Sequence, residues 1–282
     1  MQLIPGPRQV LREAGMLSML PRGLTGLAWM WLSPSMPITH VEEPGDERDT
    51  PPLLTAPERD DQPVQDGYGP VLHRSFRVRI EGARLGAREL VDVLAADMNR
   101  AMVAGVARFD RVDGASSAML VGDELVVRMP GPWDGPVRVV RRDPTSFRLG
   151  TLSGHLEAGQ IEFAARWLTD DPAGDALEFS ITTWARAGDL LADLLYNRLG
   201  VAKEIQFQLW VHCCARAAAL AGGRAPDGVE VRTRVLPWSD ALQRGVPADG
   251  AGAGDGEGSG GGEGSGGGDG QRRDLGGGSR AV

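Results

Sequence analysis

The sequence predicts an α+β fold, with an antiparallel sheet of seven strands and one long C-terminal helix. Two observations lead to this class. Between residues 74 and 184, short stretches of alternating polar and apolar residues are separated by dipeptides that favour tight turns. Such closely spaced strands are typical of an antiparallel meander. A longer amphipathic stretch follows at about residues 189–221, and its period is that of a helix.

The first strand and the first helix of this domain are predicted at residues 74–80 and 87–103. In the strand, three apolar residues alternate with polar ones, which is the pattern of a strand with one buried face. In the helix, apolar residues recur every three or four positions. The domain therefore opens with a strand followed directly by a helix.

Six further strands are predicted between this helix and the last one. Turn signals separate them, among them Asp134-Gly135 and Ala158-Gly159. In such signals Gly can adopt positive φ, and Asp can hydrogen-bond the backbone that follows it. The approximate strand bounds are 104–111, 118–129, 136–142, 146–153, 159–167 and 176–184.

The last helix is predicted from Asp189 to about residue 221. Asp189 is a suitable N-cap, because its carboxylate accepts hydrogen bonds from unpaired backbone N–H groups, and Gly222-Gly223 supplies the stop. One side of the helix is apolar and is expected to pack on the sheet. Gln206 lies at the edge of that side, so its amide needs a partner there, either a ligand or a strand carbonyl.

The two ends of the chain differ in composition from this central domain. Residues 250–282 contain 16 Gly, and residues 33–66 are rich in Pro, Asp and Glu, so neither stretch has the apolar residues that a core requires. We therefore predict a poorly ordered extension at 1–66, one domain at 67–224 and a flexible acidic tail at 225–282. The domain has 19 basic and 19 acidic residues, so the chain's net charge of −8 lies in the ends. This balance excludes nucleic acid as the main partner.

Cysteine content and hydropathy bear on the compartment. Cys213 and Cys214 are adjacent and cannot form a disulfide framework, which favours a reducing cytoplasm. The apolar stretch 16–32 is interrupted by a Pro-Arg pair and is too short to span a bilayer. Its two tryptophans leave contact with a membrane surface open, as the alternative to a poorly ordered extension.

Several short motifs stand in order through the central domain. They are Gly67–Pro70 with His73, Gly122-Asp123, the Gly131–Pro136 turn, Gly154-His155 with Glu157–Gly159, Trp184–Arg186 with Gly188-Asp189, and finally Tyr196, Lys203, Gln206 and Trp210. With these motifs, the segment from Gly67 to about Arg224 resembles the domain-of-unknown-function 1990 family, also called the UPF 0548 family. Leu156 and Ile205 stand where that family more often has Pro and Met. The family has no established activity.

The order of the elements is also similar to the helix-grip arrangement of the START-like (SRPBCC, Bet v 1-like) superfamily, in which a curved antiparallel sheet is wrapped around the long C-terminal helix. This resemblance implies that the sheet does not close completely on its last helix, so that an apolar ligand cavity lies between them. We therefore expect a protein that binds a small hydrophobic or amphipathic molecule, with no cofactor and no metal, rather than an enzyme.

Seven residues are predicted to contact that ligand: Trp133, His155, Trp184, Arg186, Lys203, Gln206 and Trp210. Trp133 is either a lid over the cavity or a plug against the end of the sheet. Lys203 is the only lysine of the chain, and its position suits either a Schiff-base amine or an exposed helix surface. Arg186 either pairs with Asp189 at the start of the helix or turns inward to bind an anionic group.

His155 and Glu157 are weak candidates for catalysis. They are two residues apart and would project to the same side of an extended segment, as a general acid–base pair or as two metal ligands would require. This pair is the basis of an alternative function, a cyclase- or hydrolase-type enzyme. A network that stabilises the turn is the interpretation we favour for them. A second alternative is a protein- or membrane-interaction module that uses the chain ends.

Overall fold

A computed structural model describes residues 36–112, 119–129, 134–169, 175–188 and 201–238. All of them belong to one of the two units into which the chain divides, residues 1–248. Several sequence predictions fall outside the described residues. These are the apolar stretch 16–32, Trp133, the first part of the last helix at 189–200, and the acidic tail from 239 onward.

The described residues form one sheet of nine strands. Its spatial order is β1-β9-β2-β8-β7-β6-β5-β4-β3, and every neighbouring pair is antiparallel except β1 and β9, which are parallel. The bounds are β1 Ile38–Pro44, β2 Tyr68–Glu81, β3 Arg108–Arg111, β4 Glu124–Arg128, β5 Asp134–Asp143, β6 Ser146–Thr151, β7 Glu157–Leu168, β8 Ala176–Ala187 and β9 Val229–Leu236.

The prediction of seven strands is therefore wrong by two, although the α+β class is confirmed. The seven predicted strands correspond to β2–β8. The two additional strands, β1 and β9, come from segments that were assigned to the extension and the tail. In β9, Val229 and Val231 are fully buried, so this strand is part of the core and the domain limits of 67 and 224 are too narrow.

Two α-helices of the described chain pack against this sheet. Helix α1 spans Ala87–Ala96, and helix α2 is described over Val201–Leu220. The first helix is shorter than predicted because Asp97 leaves the helical conformation, with φ of −156°, and its side chain accepts from the Asn99 N–H to start a separate 3-10 turn. The second helix ends as expected, with Gly222 at φ of +74°.

Both helices share one apolar core with a single face of the sheet, which we call the inner face. A row of aromatic and aliphatic side chains crosses β2, β8, β7 and β6 on this face, because directly opposed residues project to the same side. The row consists of Phe76, Ile181, Phe163 and Phe147, all fully buried. Helix α2 contacts it through Phe207, 5.7 Å from the ring of Phe76, and through Trp210, 5.7 Å from the ring of Phe163.

Residues 46–66 cover part of the opposite face, which we call the outer face. Gln160 donates through Nε2 to the Pro52 carbonyl at 2.8 Å. Arg138 bonds Asp61 at 2.8 Å and Asp60 at 2.9 Å. Residues 36–66 of the predicted extension are thus part of the fold, since the polar residues that argued against a core are the ones that pair with the outer face.

Candidate functional site

Between α2 and the inner face lie polar groups that the described chain leaves without partners. They belong to Arg74 on β2, Glu157 at the start of β7 and Trp210 on α2. We call these three residues and Gln206 the inner polar cluster. Strands β2 and β7 and helix α2 each contribute to this cluster.

Arg74 lies on the inner face because of its register. It stands directly opposite Thr183 on β8 and Thr233 on β9, and it precedes Phe76 by two residues, which is the repeat that returns a strand side chain to the same face. Arg74 is only 8% exposed. Its Nε and Nη1 atoms are buried and have no hydrogen-bond acceptor within the described chain.

One flank of this position leads to the edge of the sheet. Thr233 is 2% exposed, and its hydroxyl is 3.0 Å from Nε2 of His40 on the edge strand β1. The ring of His40 also lies 5.1 Å from that of Phe207 on α2. His40 is exposed, so the residues beside Arg74 on this side, Thr233 and then His40, lead from the core to solvent.

Glu157 occupies the other end of the cluster. Its side chain is on the inner face with those of Ile161 and Phe163, which follow it at even spacings along β7. One carboxylate oxygen, Oε2, accepts from Nε2 of Gln206 at 2.8 Å. The other oxygen, Oε1, is buried and has no donor among the described residues.

Gln206 and Trp210 are one helical turn apart on α2 and therefore share a side of that helix. The Trp210 ring packs on Phe163, but its buried Nε1–H has no acceptor in the described part of the chain. A buried polar group that lacks a partner costs about 1–3 kcal/mol. The other buried atoms without partners in the described chain belong to neutral side chains, those of Ser75, Gln160 and Trp238. Two of the three residues here, Arg74 and Glu157, are ionisable, and a charged group is the costliest to leave incomplete.

The ring of His155 bonds the backbone of its own turn and not the carboxylate of Glu157. Its Nδ1 accepts from the backbone N–H of Glu157 at 2.9 Å. Gln62 fixes the same turn, because its Nε2 donates to the carbonyls of His155 at 2.9 Å and Glu157 at 3.0 Å. The ring packs against Gly135, where a β-carbon would come within 2.8 Å of His155 Nε2.

The titration of His155 fits this structural role. Removal from water lowers the pKa of His155 below its ordinary value of 6.5, while the charge of Glu157 and a bond to its backbone oppose that shift. The ring is therefore neutral at pH 7. The predicted turn network is present, and it holds the strand end from which Glu157 reaches Gln206.

Trp184 and Arg186 lie on the outer face, contrary to the prediction that they line the space under the helix. Trp184 stacks on His73, with ring centroids 5.4 Å apart. Arg186 donates to the carbonyls of Gly69 at 2.7 Å and Val64 at 3.0 Å. In β8, Thr183 and Ala185 take the inner positions, so the alternate residues must face outward.

The structure brings together Glu157, Gln206 and Trp210 of the predicted residues. Trp133 lies outside the described chain, and Lys203 is described only as part of the backbone of α2, so their predicted roles stay predictions. Arg74 was missed, although it carried a signal. It stands at an even number, in register with the three buried apolar residues of its strand.

Neither described helix combines the length and the apolar character needed to cross a membrane. In the part of the chain that the structure describes, no three His, Cys, Asp or Glu side chains are grouped so that they could hold a metal ion.

The family model described as a domain of unknown function (DUF1990) matches residues 73–216, which is 144 of the 282 residues and just over half of the chain. No match is found among curated proteins.

Among solved structures, the chain is similar to three proteins at low identity. Norcoclaurine synthase from Thalictrum flavum, in complex with dopamine and hydroxybenzaldehyde, has 12% identity and a TM-score of 0.36, over 60% of this chain and 94% of that one. A protein from Thermobifida fusca has 15% identity and a TM-score of 0.35, over 54% and 93%. Major latex-like protein 151 from Panax ginseng has 13% identity and a TM-score of 0.32, over 53% and 98%. Similarity at this level says nothing about the ligand or activity of this chain.

Proposed function

This chain belongs to the DUF1990 family of domains of unknown function, and we propose that it binds a small amphipathic molecule between helix α2 and the inner face of the sheet. The proposal rests on one observation. The buried groups of Arg74, Glu157 and Trp210 face this space without hydrogen-bond partners in the described residues, although buried polar groups are nearly always paired in folded proteins.

The apolar part of the ligand is supported by the side chains between these groups. Ile161 on β7 and Phe207 on α2 pack against the core but are only partly buried. Apolar side chains with a few convergent polar groups are the usual lining of a small-molecule site. A ligand that is polar at its ends and apolar in between would satisfy both kinds of surface.

The alternative of a cyclase- or hydrolase-type enzyme has less support. His155 uses Nδ1 within its own turn, and the Glu157 carboxylate bonds Gln206, so the two side chains do not form a proton-transfer pair with each other. The alternative of an interaction module depends on residues 16–32 and 250–282, outside the described chain, and it stays a prediction.

Binding of decanol to the full chain tests the proposal, because decanol is neutral and requires only the apolar space. Isothermal titration calorimetry should detect saturable binding to the wild type. The substitution Ile161→Trp places a larger side chain on the inner face and should weaken decanol binding at least about tenfold, since it fills volume that the ligand would occupy.

Ala164→Trp is the matched control, because Ala164 lies on the same strand but on the outer face, opposite Ser146 and Ser180. Decanol affinity should not change in this variant. Absence of saturable binding to the wild type, or equal loss in both variants, would contradict a site between the sheet and α2.

A further inference from the structure

We infer that Arg74 binds a carboxylate group of the ligand, so that the ligand is an elongated amphipathic acid whose charged end lies under Phe207. This inference rests on the proposed function and specifies the ligand class of that same site. It starts from a single side chain, which is charged, nine-tenths buried and without a hydrogen-bond partner in the described residues.

An arginine cannot relieve its burial by losing a proton, because guanidinium stays charged at any pH that a protein tolerates. A buried charge is costly unless a counter-ion and hydrogen bonds compensate it. The described residues next to Arg74 on β2, β8 and β9 supply no counter-ion. They are Thr183 and Thr233 at the sides and Phe76 beyond, all neutral.

A guanidinium presents N–H donors in a planar fork that matches the two oxygens of a carboxylate. The charges also match, because one buried arginine balances one negative charge. A phosphate dianion would need a second cation. Among the described residues opposite or two positions along from Arg74 on β2, β8 and β9, none carries a positive charge.

The far end of the site favours a different group. Glu157 is acidic, so its carboxylate would repel an anion. Its Oε1 atom has no donor in the described chain and can accept a hydrogen bond from a hydroxyl or an amide N–H of the ligand. Glu157 lies two strands and four residues along the sheet from the row of Arg74. From ideal strand spacings, the two Cα atoms are about 16 Å apart, so a ligand that contacts both residues is elongated.

Three ten-carbon probes separate the possible head groups: decanoate, decyl phosphate and decanol, titrated calorimetrically into the full chain at pH 7.5. We expect decanoate to bind tightest. In Arg74→Met, decanoate affinity should fall about 30-fold or more, as when one partner of a buried charge pair is removed. Decanol affinity should stay the same, because the apolar space is intact.

Arg77→Met is the control, since Arg77 is an exposed position three residues along the same strand and on the outer face. It should leave all three affinities unchanged. Arg74→Lys keeps the charge but loses the planar fork, and it should give an intermediate decanoate affinity. A thermal melt of each variant establishes that it is folded before titration.

Each remaining outcome overturns a definite statement. Equal affinities of decanol and decanoate for the wild type would overturn the anion site and leave the proposed function standing. A preference for decyl phosphate would overturn the assignment of a carboxylate. Absence of binding by any probe would overturn the proposed function and this inference together.

Discussion

Four arginines of the described chain are buried, three on the outer face of the sheet and one on the inner face. The outer three are all satisfied by the protein itself. Arg138 bonds the carboxylates of Asp60, Asp61 and Glu124, and Arg148 bonds that of Glu162. Arg186 bonds backbone carbonyls and stacks on the ring of Trp238 at 4.3 Å.

Arg74, on the inner face, is as deeply buried as these three but has no such partner in the described chain. The comparison separates two uses of the same residue type. On the outer face, Arg138 and Arg186 bind residues 60–65 to the sheet, and Arg148 links β6 to β7. On the inner face, Arg74 lacks such partners among the described residues, as we expect of a residue that binds a ligand. The difference can be tested by removing each kind of arginine in turn.

The largest effect is expected for Arg138→Met. This substitution leaves Asp61, whose side chain is 5% exposed, as a buried carboxylate without its cation. Breaking a buried ion pair from one side typically costs 3–5 kcal/mol, so the free energy of unfolding should fall by about 3 kcal/mol in urea denaturation. A loss below about 1 kcal/mol would mean that the outer arginines do not hold the fold.

A smaller effect is expected from pH, through one histidine on each side of the comparison. Burial lowers the pKa of His73 on the outer face, against an opposing hydrogen bond from the ring to the carboxylate of Asp49, and removal from water likewise lowers the pKa of His155. A histidine with a lowered pKa binds its proton less readily when folded than when unfolded. Its stabilising contribution is therefore complete above about pH 6.5 and is lost as the pH falls through the lowered pKa.

Unfolding free energies at pH 8, 6.5 and 5 measure this dependence. The wild type should lose stability between pH 6.5 and 5, and His73→Asn and His155→Asn should each show a smaller loss over the same interval. If both variants kept the full wild-type dependence, neither histidine would be the group that titrates.

The smallest change in stability is expected for Arg74→Met, and its sign is the informative part. Replacing a buried charge that has no partner by an apolar side chain of similar length is neutral or stabilising. The free energy of unfolding should lie within about 1 kcal/mol of the wild type or above it. A loss as large as that of Arg138→Met would show that Arg74 has a structural partner, and the contrast between the two faces would disappear.

Much of the sheet could be predicted because its signals are local. Alternation and turn dipeptides located the ends of β2–β8 to within six residues. The same alternation runs through β9, where Val229, Val231 and Val235 are separated by polar residues. We nevertheless assigned this segment to the tail, because the residues that follow it are rich in glycine. Strand β1 has no comparable signal, because it is a polar edge strand whose parallel partner lies about 190 residues away in the sequence.

The site could be predicted only in part, because periodicity shows which residues share a face but not which face meets the helix. Trp184 and Arg186 were assigned to the wrong face for this reason, since contacts with His73 and with residues 64–69 bury them on the outer face. Gln206 does face the sheet, because a helix has only one apolar side, but its role in ligand binding stays a prediction. Its hydrogen bond to Glu157 joins residues that are 49 positions apart, so no local sequence pattern predicts it.

The pairing of β1, β9 and β2 has a practical consequence for work on this protein. The family match covers residues 73–216 and so omits both β1 and β9. Strand β9 pairs with the edge of β2 that faces away from β8, and β1 pairs in turn with β9. A fragment trimmed to that match would expose a long row of unpaired backbone N–H and C=O groups on β2, a template for pairing with other chains. Such a fragment should aggregate, whereas residues 38–236 include all nine strands.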